Sequence, residues 1–143
     1  MFKRILLATD GSAASEHAAG IAVELARTCA ARLTVLFVVD PYPYLGVGEA
    51  NPMGLQAYMS SAKQLAAEAQ DRVARLWSGA AADLDMRVVE DAPPAGIVRI
   101  ARDMGADLVI VGSHGRSGMA RLMLGSVAAR VVAESPVPVL VAR

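Results

Sequence analysis

Five short apolar runs alternate along the chain with four longer segments whose apolar residues recur every three or four positions. The runs interpreted as strands are Ile5–Ala8, Leu33–Val39, Leu84–Val89, Leu108–Val111 and Val137–Val141. Strict alternation of strands and helices is typical of a parallel sheet with helices on both faces. Right-handed crossovers leave few ways to connect five such strands, so the sequence predicts a three-layer, Rossmann-like α/β fold. No linker or internal repeat divides the 143 residues, and we expect a single domain over residues 1–143.

The four helical segments have recognisable faces and ends. Ser12 is a suitable N-cap for the first helix. The inner face predicted for that helix comprises Ala18, Ile21, Ala22, Leu25 and Cys29. The second apolar stripe comprises Leu55, Met59, Ala62, Ala66, Ala69, Val73 and Leu76. Pro93 and Pro94 favour a helix start and Gly105 a helix stop, and a last helix is expected around Gly125–Glu134.

Composition excludes several classes of function. Acidic and basic residues balance at 14 each and 55% of residues are hydrophobic, which supports a full core and gives no basic excess for nucleic acid. No apolar run approaches the roughly 20 residues of a membrane span. The run near the start stops at Asp10, below the length of a signal-peptide core. Cys29 is the one cysteine, so a disulfide within the chain and a thiolate metal cluster are excluded. We expect a cytoplasmic protein.

Two polar, glycine-bearing loops follow predicted strands. The segment "ATDGSAAS" follows the first strand, and "GSHGRSGMARLMLGS" follows the fourth. In an open α/β sheet, ligands bind beyond the carboxyl ends of the strands, where the strand order reverses. With the order 3-2-1-4-5, strands 1 and 4 are neighbours, and both loops face one crevice.

The second loop has the features of an anion site. Gly112 and Gly115 remove two side chains at the strand exit, which lets a ligand approach the backbone. Gly125 and Ser126 begin the last helix, whose free N–H groups and dipole favour phosphate. Further donors and charges are available from Ser113, Arg116, Ser117 and Arg121. The competing interpretation is that the glycines only form a tight turn, but two glycine clusters around a nine-residue insert favour phosphate.

Two common nucleotide-binding motifs are absent from the sequence. A P-loop requires GxxxxGK[ST], whereas the only lysines, Lys3 and Lys63, lie far from the second loop. A dinucleotide-binding fingerprint requires GxGxxG after the first strand, whereas "TDGSAAS" contains one glycine. Neither a P-loop NTPase nor a Rossmann-type dehydrogenase is expected.

Asp10 ends the first strand at the predicted crevice. Its carboxylate can accept hydrogen bonds from a ribose or base, or help to hold a phosphate-bound Mg²⁺. Alternatively, it stabilises the dipole of the first helix, and the two roles are compatible. No Ser-His-Asp arrangement can be assigned to His17 or His114.

The segment Asp40–Gly54 fits neither a helical nor a strand period and is predicted as a long loop. Its place after the second strand puts it at the same end of the sheet as the crevice. As a lid it would supply Tyr42 or Tyr44 as an aromatic wall. A surface excursion without that role is the alternative.

The spacing Gly112-x-x-Gly115, nine residues, Gly125-Ser126 resembles the G-2x-G-9x-G(S/T) signature of the universal stress protein family. "KRILLATDGSAAS" and "SPVPVLVAR" are similar to the two ends of that family's chains, so the resemblance covers nearly the whole sequence. It implies an α/β fold with strand order 3-2-1-4-5, a homodimer and a stress-related cytoplasmic role. Because the signature is intact, the resemblance also implies ATP as the ligand.

The resemblance can be carried over position by position. Asp10, Val38 and Val39 would meet the adenosine part of ATP. The residues implied around the ribose and phosphates are Gly112, Gly115, Gly125, Ser126 and Val127. The predicted site is completed by Thr9, Gly11, Ser113 and Arg116. The chain departs from the family at Asp91–Pro93, where "DAP" stands in place of the frequent Gly-x-Pro, which affects a turn and not the nucleotide site.

Three classes of function are compatible with these features: a nucleotide-binding regulatory protein, a slow ATPase or adenylyl- or phosphoryl-transfer enzyme, and a dimeric interaction module without a functional nucleotide. The intact signature favours the first. No general base or lysine clamp can be assigned near the phosphates, so any hydrolysis is expected to be slow.

The last strand, Val137–Val141, would be an apolar edge in the order 3-2-1-4-5. Such an edge is a hazard unless it is short, charged or paired. One interpretation is a monomer whose five-residue edge is too short to aggregate, and the other is a dimer. Antiparallel pairing with the same strand of a second copy, about a two-fold axis, would satisfy both edges. Pro138 lacks an N–H group and is expected to face away from the partner or to lie at the margin of the ladder.

Overall fold

A computed structural model of the protein describes residues 1–41, 50–115 and 123–143. The strands are β1 (Arg4–Ala8), β2 (Arg32–Val39), β3 (Leu84–Glu90), β4 (Leu108–Gly112) and β5 (Val139–Ala142). The helices are α1 (Ala13–Cys29), α2 (Pro52–Leu76), α3 (Pro93–Asp103) and α4 (Ser126–Glu134). A short 3-10 helix, Ala81–Asp83, precedes β3.

The five strands form one parallel sheet in the order β3-β2-β1-β4-β5. In the centre of the sheet, Leu6 of β1 lies between Thr34 of β2 and Val109 of β4. The predicted fold and strand order are therefore confirmed. The order reverses between β1 and β4, so the loops that follow these two strands emerge side by side at the carboxyl end of the sheet.

Alternate residues of the central strands point to opposite faces and create two core layers. Ile5 and Leu7 of β1 pack with the buried alanines of α1, whereas Leu6 packs with Ile97 of α3 and Val131 of α4. Both layers are fully buried at β1, which explains why its sequence is a continuous apolar run without alternation. A smaller cluster lies between the end of β2 and the middle of α2.

Two predicted helix ends are confirmed by local geometry. Ser12 caps α1, because its hydroxyl accepts a hydrogen bond from the Ser15 N–H at 3.3 Å. Gly105 follows the end of α3 with φ of +63°, the left-handed conformation in which glycine is favoured. Of the helices in the described ranges, none has the length and apolarity that a bilayer crossing requires.

The buried faces of the first two helices differ in detail from the predicted stripes. The fully buried residues of α1 are Ser15, Ala18, Ala19, Ala22, Val23 and Ala26. The larger Ile21, Leu25 and Cys29 flank that face and are only partly buried, because the small residues let the helix approach the sheet closely. In α2, burial is complete only at Ala66, Ala69 and Val73. A helix of 25 residues is about 37 Å long, longer than the roughly 26 Å of the eight-residue β2, and its N-terminal part extends past the carboxyl end of that strand.

The last strand begins later than predicted. It covers Val139–Ala142, whereas the sequence pattern suggested Val137–Val141. The reason is a side-chain turn: the Ser135 hydroxyl donates to the Val137 carbonyl at 2.8 Å and accepts from the Val137 N–H at 3.2 Å. Val137 is thereby held in the connection and not in the ladder.

Two glycines of this fold should respond in opposite ways to the same substitution. Gly20 lies on the exposed side of α1 and has open space where a Cβ would stand, so Gly20→Ala should stabilise the protein by about 0.5–1 kcal/mol. Gly105→Ala should destabilise it by about 1–2 kcal/mol, because alanine is strained at a φ of +63°, whereas the nearby Arg4 side chain can move aside. Urea unfolding measures both changes. A Gly105→Ala protein as stable as wild type would contradict the left-handed end of α3.

Candidate functional site

A cavity of about 540 Å³ opens at the carboxyl end of the sheet, between the loops after β1 and β4. Its size is within the usual range for small-molecule sites. The predicted site residues that line it are Thr9, Asp10, Val38, Val39, Gly112, Ser113, Gly115, Gly125, Ser126 and Val127. Segments that are distant in sequence therefore converge on one cavity at the reversal of strand order.

The remaining two predicted site residues have different outcomes. Gly11 is not among the described residues that line the cavity. It has φ of +80°, and a Cβ on it would face the Leu65 and Arg72 side chains of α2, so its glycine serves the turn after β1. Arg116 lies outside the described residues, as do the other predicted contributors Ser117, Arg121, Tyr42 and Tyr44.

The signature glycines leave room for protein atoms as well as for a ligand. A Cβ on Gly112 would stand 2.9 Å from the carbonyl carbon of Ala14, in the first turn of α1. One on Gly125 would stand 3.0 Å from the Ser113 carbonyl oxygen, and one on Gly115 would stand 3.1 Å from Asp10 Oδ2. Gly112 therefore has a structural reason to be glycine beside the predicted one, because the first turn of α1 excludes a side chain there.

The N-terminus of α4 opens towards this cavity. Its N-cap, Gly125, has no side chain to close the helix end, and no side chain in the described part of the chain caps it. The Gly125 N–H is used, since it donates to the Ser113 carbonyl at 2.7 Å. The first-turn residues Ser126, Val127 and Ala128 all line the cavity, and their amides have no acceptor within the helix. Together with the helix dipole, they make this wall electropositive.

The N-terminus of α1 reaches the same crevice but is closed by its own residues. Asp10 Oδ1 accepts from the Ser12 N–H at 2.9 Å, and the Ser12 hydroxyl accepts from Ser15 N–H. Asp10 therefore has the predicted role of an acid before the helix. Its second oxygen, Oδ2, lies over Gly115 and faces the loop after β4.

A chain of buried hydroxyl groups fastens the loop after β1. The Thr9 hydroxyl accepts from the Gly11 N–H at 3.3 Å and donates to Ser15 Oγ at 3.0 Å, and Ser15 in turn donates to the Ser12 carbonyl at 2.9 Å. Because the Thr9 proton is used within the protein, Thr9 has only acceptor capacity left for a ligand. Ser15 also lines the cavity, and the sequence pattern did not single it out, although it follows Ser12 at capping distance.

The charges around the cavity are negative where the described residues define them. Asp10 and Asp40 line it, and no lysine or arginine does so within the described ranges. The same ranges contain no group of three or more His, Cys, Asp or Glu residues arranged to hold a metal ion. Ser113 Oγ lies 2.8 Å from His114 Nδ1 on the adjoining wall. A cation bound beside Asp10 would thus take most of its ligands from the incoming molecule and from water.

The opposite end of the cavity is apolar, and the sequence pattern did not predict it. It is lined by Tyr58, Ala62 and Leu65 of α2 and by Pro93 and Ile97 of α3. The apolar stripe of α2 is evident in the sequence, but its pattern does not show which part packs on the sheet and which part faces the cavity. Because α2 projects past the end of β2, the first turns of that stripe face the cavity.

The chain is similar to known sequences along its whole length. The model of the "Universal stress protein family" matches residues 1–143. A universal stress protein of Methanocaldococcus jannaschii is 32% identical over 143 residues, with 100% of this chain and 83% of that protein covered. A universal stress protein of Thermus aquaticus is 35% identical over 147 residues, with both chains fully covered.

Solved structures agree with this assignment. The universal stress protein UspA of Lactobacillus plantarum has a TM-score of 0.80 and 29% identity, over 99% of this chain and 97% of that one. A universal stress protein solved in complex with cAMP has a TM-score of 0.70 and 27% identity, with the same coverage. With the predicted signature, the observed strand order and a family match over all 143 residues, the chain belongs to the universal stress protein family.

Proposed function

We propose that residues 1–143 form one adenine-nucleotide-binding domain that binds ATP with Mg²⁺ and acts as a homodimeric, cytoplasmic regulatory protein in a stress response. The observation that carries the proposal is the open N-terminus of α4, which faces a cavity whose other end is apolar. A ligand that suits both ends has an anionic group at one end and a flat, largely apolar group at the other. An adenine nucleotide has this construction.

Each part of ATP has a counterpart in the cavity. The phosphates are assigned to the amides of Ser126 and Val127, because unpaired helix N-terminal amides favour anions. The base is assigned to the ends of Val38 and Val39 and the apolar side chains opposite them. The solved relative in complex with cAMP, at 27% identity, supports an adenine nucleotide as the ligand class.

Mg²⁺ has a specific role in this arrangement. Asp10 Oδ2 lies beside Gly115, in the loop after β4. Its negative charge would repel phosphates bound near this loop. A divalent cation between them would convert the repulsion into attraction, with phosphate oxygens and water as its remaining ligands. Asp10 is thus proposed as the protein's metal ligand.

We propose binding and not turnover as the biochemical activity. Fast phosphoryl transfer needs a residue that orients the attacking water and a cation that stabilises the transition-state charge. The only titratable groups on the described cavity wall are the carboxylates Asp10 and Asp40, His114 and the phenol of Tyr58. His114 Nδ1 is engaged with Ser113, and the Tyr58 hydroxyl with the Asp40 carbonyl. This supports a regulatory role.

The free edge of β5 is the proposed dimer surface. The Pro138 carbonyl accepts from Val109 N–H at 3.0 Å and the Ala142 carbonyl from Ser113 N–H at 2.7 Å, so these residues direct their backbone groups towards β4. Because the direction alternates along a strand, Val139 and Val141 present their N–H groups to the outer edge. Pro138 has no N–H, but it points towards β4 and not towards the outer edge. It therefore does not remove a donor from the proposed dimer contact.

The first prediction from this proposal concerns the glycine-lined wall. Gly125→Val should weaken ATP binding by about tenfold or more, because a side chain 3.0 Å from the Ser113 carbonyl forces the start of α4 away from the cavity. Gly115→Val should act similarly by displacing Asp10. Isothermal titration calorimetry with ATP and Mg²⁺ measures both. Gly20→Ala serves as the matched control and should bind as wild type does.

Wild-type protein that shows no saturable binding at millimolar ATP would overturn the proposed ligand. Unchanged affinity in both valine variants would instead move the phosphates away from the start of α4.

The second prediction is that Asp10→Asn changes ATP affinity in opposite directions with and without Mg²⁺. Asp10→Asn keeps the size of the side chain and an oxygen that can accept from Ser12 N–H. With Mg²⁺ present, the variant should bind ATP about fivefold more weakly, because a metal ligand is lost. With EDTA, it should bind ATP more tightly than wild type, because a repulsion of about 1 kcal/mol at solvent dielectric is removed. Calorimetry in both buffers measures the two changes, and the same direction in both would contradict the metal role.

The third prediction concerns the dimer. Light scattering of the wild type should give about twice the chain mass of 14.9 kDa. Val139→Pro and Val141→Pro each remove an outward N–H of β5 and should shift the protein towards monomer. Val88→Pro on the other edge strand, β3, is the matched control. Asp91 N–H donates to the Val39 carbonyl and so points towards β2, and because direction alternates along a strand, Val88 points its N–H away from β2. Its replacement by proline therefore removes an outward N–H from the edge that is not proposed to form the dimer. A monomeric wild type, or equal dissociation by all three prolines, would contradict the β5 dimer.

A further inference from the structure

Tyr58 is the one aromatic side chain of α2, and it stands at the apolar end of the cavity. We infer that Tyr58 is the aromatic wall against which the base stacks, and that it determines the preference of this site for a purine over a pyrimidine. This inference rests on the proposed nucleotide function. It is an alternative to the expectation that Tyr42 or Tyr44 supplies that wall, and the test below compares the three residues.

The helix that carries Tyr58 is directed over the cavity by its own start. Asn51 caps α2, with its side-chain oxygen accepting from the Gly54 N–H at 3.0 Å, and Pro52 occupies the first turn. From there, Tyr58, Ser61, Ala62 and Leu65 fall at spacings of three and four and line the cavity in one row. The row reaches the cavity because this part of the helix projects past the end of β2.

A hydrogen bond holds the Tyr58 side chain in place. Its hydroxyl donates to the backbone carbonyl of Asp40, the residue that follows β2. The bond ties α2 to the strand end where the base is assigned, and it restricts the side chain before a ligand arrives. A wall that is already ordered costs less conformational entropy on binding than a free one.

The wall contributed by α3 is also apolar. Pro93 and Ile97 of α3 line the cavity from the other side of the sheet, and Val38 and Val39 form its floor. A purine offers apolar faces to such walls, and stacking on an aromatic ring is a strong and edge-independent interaction. The Tyr58 hydroxyl already donates to the Asp40 carbonyl, so we expect the base to contact the face of the ring. Tyr58 should therefore favour the base with the larger stacking area, which is the purine.

The test compares ATP, adenosine and CTP on the full chain by calorimetry. Tyr58→Leu removes the ring and keeps an apolar side chain, while Tyr58→Phe keeps the ring and removes the bond to Asp40. Gln56→Leu changes an exposed residue on the same helix and serves as the matched control. Tyr42→Leu and Tyr44→Leu test the competing aromatic residues. Proton NMR records the ring-current shifts of adenine H2 and H8 on binding.

We expect Tyr58→Leu to weaken ATP and adenosine by the same factor, about tenfold or more, and CTP by less, so that the ratio of ATP to CTP affinity falls. The upfield shifts of H2 and H8 should disappear with the ring. Tyr58→Phe should retain those shifts with a loss of only a few-fold, and Gln56→Leu should match wild type. Thermal unfolding of each variant identifies any that does not fold. If Tyr58→Leu fails to fold, shifts retained in Tyr58→Phe, Tyr42→Leu and Tyr44→Leu support the inference, and shifts lost in any of the three overturn it.

Two groups of outcomes separate this inference from the proposed function. A wild type that binds neither ATP nor adenosine overturns both. A wild type that binds ATP, with Tyr58→Leu showing the same affinity ratio and the same H2 and H8 shifts, overturns the inference alone. Loss of the shifts in Tyr42→Leu or Tyr44→Leu, but not in Tyr58→Leu, also overturns it, as does a Tyr58→Phe complex without the shifts.

Discussion

The carboxyl end of β4 and the first turn of α1 approach so closely that no side chain fits between them. A Cβ on Gly112 would stand 2.9 Å from the carbonyl carbon of Ala14, and backbone atoms cannot move aside as a flexible side chain can. This contact determines where the loop after β1 lies relative to the loop after β4. The bond from Gly125 N–H to the Ser113 carbonyl then brings the start of α4 to the same point. The cavity is thus positioned by main-chain contacts of three separated segments.

These contacts bring two helix N-termini to one crevice, and the sequence treats them differently. The start of α1 is closed by Asp10, Ser12 and Ser15, whose side chains form the local hydrogen bonds. The start of α4 follows a glycine and has no side-chain cap within the described residues. Glycine at the N-cap costs only a few tenths of a kcal/mol relative to a residue with a capping side chain. The open start of α4 therefore costs little stability, and it leaves the amides of Ser126 and Val127 available on the cavity wall for the proposed phosphates.

The order of strands and helices and the two loops that line the cavity were predictable, because each is marked by a pattern within a short segment of sequence. Continuous apolar runs such as Leu108–Val111 mark strands buried on both faces, and the glycine spacing marks the loops that surround them. Tyr58 and Ser15 were missed because their role depends on tertiary geometry: the length by which α2 exceeds β2, and the direction of a hydroxyl within a cap. The packing of α1 against Gly112 was missed for the same cause, since nothing local shows that α1 passes there. The start of β5 was misjudged because the Ser135 side chain holds Val137.

The two ends of the cavity also constrain each other energetically. At the α4 end, amide dipoles attract an anion while the Asp10 carboxylate repels it, and no lysine or arginine on the described wall compensates. Free phosphate would therefore gain little there. At the other end, Tyr58, Pro93 and Ile97 offer contact area to a flat group but few polar partners, so a base alone would gain little specificity. A ligand that joins both groups obtains both contributions for one loss of translational freedom. On the proposed assignment, the site responds to the intact nucleotide with its metal and discriminates against the separate parts.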